Sequence, residues 1–389
     1  MAKSFILSLE DYLVIQKGFD TKSKIVGVNH NLYKYPACYS PELVNSLIDI
    51  FTKKNDHILD PFCGGGTTGI CALNRQRNST INDLNEFAYY ISTVKTNKYS
   101  ESHINIFERW FVNIYPYKRY KPKKKSTKGL DERLNNKTNW PIRNFIVDYL
   151  HKTTLIKNNK SKELAIILLL RVVKRAFDSK DRKPDIAHVK NITLKYYREL
   201  LDNVRAFRDI LDKHKNSKIK VTNYDFRELK NKAHYKNTKF NAIITSPPYP
   251  GVHIRYDRIS LNSTKVTDIQ YFISDTKPLE GVNSYTFSTR VSNLEPKYFR
   301  MIYDGFYNLR DIIDYNTLII QVVGFRDKSM LKKYLNTMEL AGYEEYFFKV
   351  NGRQRNRLWR KVVNRSFHAA SKGDIPASEE VLLIHKKGA

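Results

Sequence analysis

The feature that most restricts what this chain can fold into is the passage from Phe240-Asn241-Ala242-Ile243-Ile244 into Thr245-Ser246-Pro247-Pro248-Tyr249. The apolar run predicts a short buried strand. Two consecutive prolines lack N–H groups and hold φ near one value, so no ladder continues through them. The chain must leave the sheet stiffly at its edge, with its carbonyls and the Ser246 hydroxyl pointed into a crevice. A rigid cluster of acceptors beside an aromatic ring suits a flat base that carries an NH2 group.

Composition adds the next constraint. The 389 residues can bury one large core or two modest ones. Lys and Arg number 68 against 39 acids, a net charge of +29, and the pI is near 9.8. Such a surplus repels itself in the compact state and implies a polyanionic partner, nucleic acid foremost. A generally lysine-rich proteome is the bland alternative. The N-terminal ten residues are too poor in apolar side chains for a signal peptide. The longest apolar run, Leu164 to Leu170, falls far short of the roughly 20 residues a membrane span needs. The three cysteines, Cys38, Cys63 and Cys71, form no Cys-x-x-Cys pair. That argues against zinc and a disulfide framework and fits a reducing cytoplasm, so a cytoplasmic protein without a membrane partner is expected.

Residues 25–97 read as alternating α/β structure. Apolar positions in Glu42–Lys53 recur at helical spacing, followed by a strand at 57–59, a Gly-rich turn, a helix carrying Ile70 to Leu73, and a strand at 79–82 ending at Asp83. From about Tyr99 to Ser217 the character changes. Tyr117 to Lys128 is basic with no acid, and helices are predicted around 142–149, 162–177 and 194–214. The 164–177 segment is apolar almost all round and reads as core rather than as a recognition helix. The α/β pattern resumes with strands at 219–222, 240–245 and 317–323, a helix at 329–341 stopped by Gly342, and candidate closing strands at 346–350 and 380–385. The division expected is a core half over 1–99, a mostly helical basic insertion over 100–216, and a second core half over 217–389.

Three groups of residues carry chemistry. In Asp60-Pro61-Phe62-Cys63-Gly64-Gly65-Gly66-Thr67-Thr68, successive glycines between a strand and a helix let the backbone pass close under a ligand at positive φ. The crevice beyond the strand ends of an open α/β sheet is where nucleotide-like ligands bind. Neither the spaced glycines of a dinucleotide fingerprint nor a phosphate-loop Gly-Lys-Ser/Thr is present. Asp60 at a strand end suits an ammonium group. Asp83, about 20 residues further on, can accept from ribose hydroxyls. Asp225 reads two ways, as an acceptor for an adenine amino group or as a local cap and ion-pair partner of Arg227.

Taken in this order, the pieces resemble the amino-group DNA methyltransferases that use S-adenosylmethionine. The 60–68 segment is similar to their cofactor loop, Ser246-Pro247-Pro248-Tyr249 to their catalytic tetrad, and Tyr35-Pro36-Ala37-Cys38-Tyr39-Ser40-Pro41-Glu42-Leu43 to the segment that completes their methionine pocket. The resemblance covers roughly residues 25–97 and 218–325 and stops short of the insertion. Cys63-Gly64-Gly65-Gly66 departs from the pattern, since serine is common at the central position. The resemblance implies a Rossmann-like class I methyltransferase fold, with a mostly parallel seven-stranded sheet and a helical insertion. Its implied cofactor is S-adenosylmethionine without a metal, held by Tyr35, Pro36, Asp60, Phe62, Gly64, Gly66, Thr67, Thr68, Asp83 and Asp225. Within the family, serine at the head of the tetrad leans towards cytosine N4, whereas Asp or Asn there leans towards adenine N6. Cytosine C5 chemistry needs a Pro-Cys nucleophile, and no Pro-Cys pair occurs.

The resemblance also implies a mechanism. The base of double-stranded DNA is flipped into the pocket, the Ser246 hydroxyl and Pro247 carbonyl accept from its amine, and Tyr249 stacks on it. A restriction endonuclease acting on the same site is the expected companion on family analogy. Val252 to Arg258 and Gly352 to Arg365, which mix basic and aromatic residues, are candidate DNA contacts or ordinary surface, and 251–297 is a second candidate reader. The alternatives are adenine N6 methylation, a tRNA guanosine N2 methyltransferase, and an idle DNA-binding module that kept the fold. The tRNA enzymes typically start the tetrad with Asp and carry an N-terminal RNA-binding domain, for which the 24 or so residues before the resemblance are too few.

Overall fold

Neighbouring apolar residues along the central strands point to opposite faces, as the two-residue period of extended backbone requires. Ile58, Ile244, Ile320, Val322, Leu382 and Ile384 join one buried layer. Leu59, Ile243, Ile319, Val323, Val381 and Leu383 join the other. The sheet is covered on both faces, which is why a run such as Ala242-Ile243-Ile244 is apolar throughout. The computed structural model describes residues 3–21, 28–35, 39–115, 140–177, 185–250, 259–261, 265–278, 295–325, 327–355, 357–361 and 379–388.

The strands are β1 Lys3–Leu7, β2 His57–Asp60, β3 Asn78–Asn82, β4 Ile219–Thr222, β5 Phe240–Thr245, β6 Ile259–Leu261, β7 Lys265–Thr267, β8 Ile313–Gly324, β9 Tyr343–Val350, β10 Arg353–Arg355, β11 Leu358–Lys361 and β12 Glu379–Lys387. The main sheet runs β1-β9-β12-β8-β5-β2-β3-β4. Every pair along it is parallel except those of β12, which is antiparallel to both β8 and β9. The expected seven strands are those from β9 to β4. The sheet has ten, because β1 adds to the β9 edge and the short β10 and β11 pair with β9 and β12. The extra edge strand was invisible in the sequence because Lys3-Ser4-Phe5-Ile6-Leu7 is brief and only partly buried.

The helices are α1 Leu9–Asp20, α2 Pro41–Phe51, α3 Thr67–Asn74, α4 Glu86–Thr96, α5 Glu101–Ile114, α6 Trp140–Thr153, α7 Asn159–Phe177, α8 Ile186–Lys213, α9 Ala233–Lys236, α10 Ile269–Ser274, α11 Glu295–Leu309 and α12 Lys328–Leu340. α2 shows why they form where they do. Ser40 caps it by accepting from the Leu43 N–H, and Pro41 pre-sets its first turn. Leu43, Val44, Leu47 and Ile48 are fully buried, each contributing at most about 1.5–3 kcal/mol against the sheet.

The described residues of 100–216 are mainly helical, and α7 is core on nearly all sides. α5 went unread, and α8 starts eight residues before the predicted Leu194 because Asp185 caps it, accepting from the Ala187 N–H. Helices α5 to α8 share one apolar cluster with Phe87, Ile91 and Val94 of α4, and with Tyr35. The described part of 251–297, the second candidate reader, includes the β6–β7 ribbon and α10. Among the described residues no helix is long and apolar enough to cross a membrane.

Candidate functional site

The chain runs outward from β2 to β3 and β4, then returns to lay β5 on the other side of β2. The order therefore reverses between β2 and β5, and the crevice beyond their carboxyl ends is the place where such sheets bind ligands. Ile58 lies opposite Ala242 and Leu59 opposite Ile243. This register brings the Gly-rich turn after β2 and the Ser-Pro-Pro-Tyr turn after β5 side by side.

Asp60 locks the two together. Its side chain is 0% exposed. One oxygen accepts from the Thr245 hydroxyl at 2.7 Å and the Phe62 N–H at 3.2 Å. The other accepts from the Thr68 hydroxyl at 2.6 Å and the Tyr39 hydroxyl at 3.0 Å, and those two hydroxyls also touch each other. Burial pushes the carboxyl above its ordinary range, opposed by these donors. This corrects the expectation of an open carboxylate facing an ammonium group: Asp60 holds both its oxygens inward.

The Gly turn is held from three sides. Gly64 and Gly66 have φ of 48° and 76°, so both need the glycine backbone. A side chain on Gly66 would also meet Ser92 of α4 at 3.0 Å. The Cys63 N–H donates to the Asn82 carbonyl at 2.8 Å and the Gly64 N–H to Asp83 Oδ2 at 2.8 Å. From beneath, the ammonium of Lys95, only 2% exposed, donates to the Gly65 carbonyl at 2.8 Å. Asp83 also accepts from the Asn85 N–H at 2.9 Å. It is half-buried at the crevice, and desolvation pushes its carboxyl up to about 6 against those two hydrogen bonds. Tyr35 stands beside Gly64 and packs on Phe87, ring centroids 6.3 Å apart. Thr67 and Thr68 are buried in the first turn of α3. Phe62 packs on Phe226 at 4.8 Å. Pro36 lies outside the described residues.

In the tetrad, the half-buried Ser246 hydroxyl contacts the Val322 carbonyl at 2.9 Å and the Tyr249 hydroxyl at 3.2 Å. Tyr298 of α11 donates to the Pro248 carbonyl at 2.6 Å. Tyr249 differs from its expected place. Its ring is 6% exposed and lies so close to Gly324 that a methyl there would meet it at 2.8 Å. Its hydroxyl donates to Glu380 at 2.8 Å. The ring is part of the wall, not an open stacking face.

Asp225 takes the local role. It caps the 3-10 turn after β4 by accepting from the Arg227 N–H at 2.9 Å, and it holds the Arg227 guanidinium at 2.7 and 3.0 Å. The basic segment 352–365 also turns partly inward. Arg357 grips Glu345 at 2.5 and 2.6 Å, and Arg360 grips Glu380. Arg353 and Arg355 are exposed, and Trp359 is 37% exposed. Residues 117–128, 252–258 and 362–365 lie outside the described residues. Tyr39, Thr245, Lys95, Arg360 and Glu380 escaped the sequence reading as site residues. Two of them carried a usable signal: Tyr39 by its place in the segment likened to a methionine pocket, and Thr245 by its place between the apolar strand and the prolines. Among the described residues no group of three or more His, Cys, Asp or Glu could hold a metal ion.

Residues 16–102 match the model of the DNA methylase family, N6/N4 type. The matched segment contains Tyr39, the Gly turn, Asp83 and Lys95. No curated protein matches the chain. Among solved structures it aligns with a TehB-like SAM-dependent methyltransferase from Corynebacterium glutamicum at 10% identity, covering 88% of this chain and 86% of that one, with a TM-score of 0.29. It aligns with the rRNA methyltransferase aviRa from Streptomyces viridochromogenes at 9% identity, covering 92% and 90%, with a TM-score of 0.32.

Proposed function

We propose that this chain is an S-adenosylmethionine-dependent DNA methyltransferase that modifies the exocyclic N4 amine of cytosine in a flipped-out base. The observation that carries the reading is the junction of β2 and β5. There a glycine turn with two positive-φ residues and a Ser-Pro-Pro-Tyr turn open onto one crevice, bridged by Thr245 and Asp60 at 2.7 Å. The DNA methylase match over residues 16–102 supports the cofactor side, and the charge of +29 supports a polyanionic substrate.

The cofactor, when bound, supplies an electrophilic methyl group on a sulfonium. The side chains present suit it. Asp83 is anchored by two N–H groups at 2.8 and 2.9 Å and is half-open to the crevice, leaving lone pairs for ribose hydroxyls. Gly64 and Gly66 keep the turn free of side-chain bulk. Across the crevice, the Ser246 oxygen accepts a hydrogen from the base amine and turns its nitrogen lone pair away from the serine. Holding the amine in one orientation supplies much of the acceleration, and among the described residues Ser246 touches a hydroxyl and a carbonyl rather than a strong base. The buried Asp60, close behind the turn, adds a negative field that favours a sulfonium over a neutral thioether.

Serine at the head of the tetrad supports cytosine over adenine. A restriction endonuclease of the same specificity is the companion this reading implies. The test is transfer of labelled methyl from S-adenosylmethionine to plasmid DNA, with tRNA as the competing substrate. Label in DNA and none in tRNA is expected; label in tRNA alone would replace the DNA reading.

A further inference from the structure

We propose that Arg360 and Glu380 are positioning residues that make Ser246 an acceptor and never a donor towards the substrate, acting through the Tyr249 hydroxyl. The inference rests on the amine-methylating reading and names the device that sets the polarity of its serine. Arg360 and Glu380 face each other across β11 and β12. Glu380 is 2% exposed, and one of its oxygens accepts from Arg360 Nε at 2.8 Å and Nη2 at 2.5 Å. The guanidinium is itself fixed to α1. Its Nη1 donates to the Phe19 carbonyl at 3.2 Å and its central carbon lies 5.1 Å from the Phe19 ring centre.

Direction then passes along the chain of contacts. A guanidinium only donates, and an ionised carboxylate only accepts. The second Glu380 oxygen therefore takes the Tyr249 hydrogen, at 2.8 Å. With its one hydrogen spent, the Tyr249 oxygen offers Ser246 an acceptor and nothing else. Ser246 also has a single hydrogen, and among the described residues its polar side-chain contacts are the Val322 carbonyl at 2.9 Å and the Tyr249 oxygen at 3.2 Å. Both take that hydrogen and return none. The serine lone pairs are left for an NH2 group. Gly324 completes the arrangement: it sits opposite Glu380 in the β8–β12 register and leaves the space that the Tyr249 ring fills.

Glu380→Gln reverses this order while preserving shape. Arg360 requires an acceptor, so it selects the amide oxygen and turns the amide NH2 towards Tyr249. Tyr249 then accepts from the amide and donates to Ser246, occupying a serine lone pair. We expect E380Q to lower the methyl-transfer rate at saturating substrates by about tenfold or more, with cofactor affinity by calorimetry unchanged. Placed in a Y249F background, the same substitution should add less than about a twofold further loss, because no hydroxyl remains to reverse. Equal losses from E380Q in the two backgrounds, or an E380Q enzyme as fast as the natural one, would overturn the relay. Absence of transfer by the natural chain would instead overturn the methyltransferase reading, and the relay with it. A readout independent of activity is the Raman ring doublet of Tyr249, isolated as the difference between the natural chain and Y249F. It should report a strongly donating hydroxyl, and an accepting one would refute the relay even if E380Q fails to fold.

Discussion

Thr245 donates its hydroxyl hydrogen to the buried carboxylate of Asp60 at 2.7 Å, across the point where the order of strands reverses. The last residue of β5 is thereby tied to the last residue of β2, and the two turns that follow cannot drift apart independently. Thr245→Val keeps the shape and removes one of four donors from a fully buried carboxylate. The expected cost is about 1–3 kcal/mol, measured by denaturant unfolding. An unchanged midpoint would mean that Asp60 does not depend on this bond.

Asp83 should give cofactor binding a pH dependence. Its carboxyl is raised from 3.8 to about 6 in the folded chain. The folded state thus holds the proton more tightly than the unfolded chain, and Asp83's contribution to stability falls as pH rises from about 4 to about 6. Ribose hydroxyls donate to the ionised form, so affinity for S-adenosylmethionine should run the other way, weak below about pH 6 and level above it. Calorimetric titration across that window should show the rise. Asp83→Asn should bind more weakly and remove the Asp83-dependent part of the slope; a slope undiminished in that variant would exclude Asp83 as its source.

Gly324→Ala tests how closely the tetrad is fitted to the sheet. The added methyl would lie 2.8 and 2.9 Å from two Tyr249 ring carbons and 3.2 Å from the Glu379 carbonyl. Overpacking of this kind costs about 1–3 kcal/mol. Displacing the ring also shifts Ser246, so the transfer rate should fall together with the unfolding midpoint. Loss of stability without loss of rate would show that Tyr249 does not position the serine.

How much of this was legible in the sequence depends on how local each signal is. β2, β4 and β5 were readable nearly to the residue, since each is a short apolar or β-branched run stopped by a turn or a proline pair. The pairing of the Gly turn with the tetrad was also readable, through order and resemblance. The inward faces of the polar residues were not. Tyr249 meets Glu380 across 131 positions, and Glu380 meets Arg360 only because β11 and β12 pair in one register. Arg360, within a basic stretch that reads as a nucleic-acid contact, is turned onto Glu380 by that register, and Arg357 meets Glu345 of β9. Lys95 carries no local signal, and only the packing of α4 under the Gly turn brings it to the Gly65 carbonyl. Asp60 was placed correctly at its strand end, but its four donors come from residues 39, 62, 68 and 245.

Ser246→Ala separates chemistry from binding. The substitution removes the acceptor for the amine and leaves the Gly turn, Asp83 and Lys95 untouched. Transfer should fall by about a hundredfold or more, while calorimetry returns the natural affinity for S-adenosylmethionine. An unchanged rate would remove Ser246 from the reaction.

The most direct measurement is the identity of the methylated base. Plasmid DNA incubated with the purified chain and S-adenosylmethionine, then sequenced by a method that separates N4-methylcytosine from N6-methyladenine, should carry N4-methylcytosine within one recurring sequence, and none with the Ser246→Ala variant. N6-methyladenine at a recurring site would keep the methyltransferase and overturn its assignment to cytosine. DNA left unmodified by a chain that binds the cofactor would contradict the account at its centre.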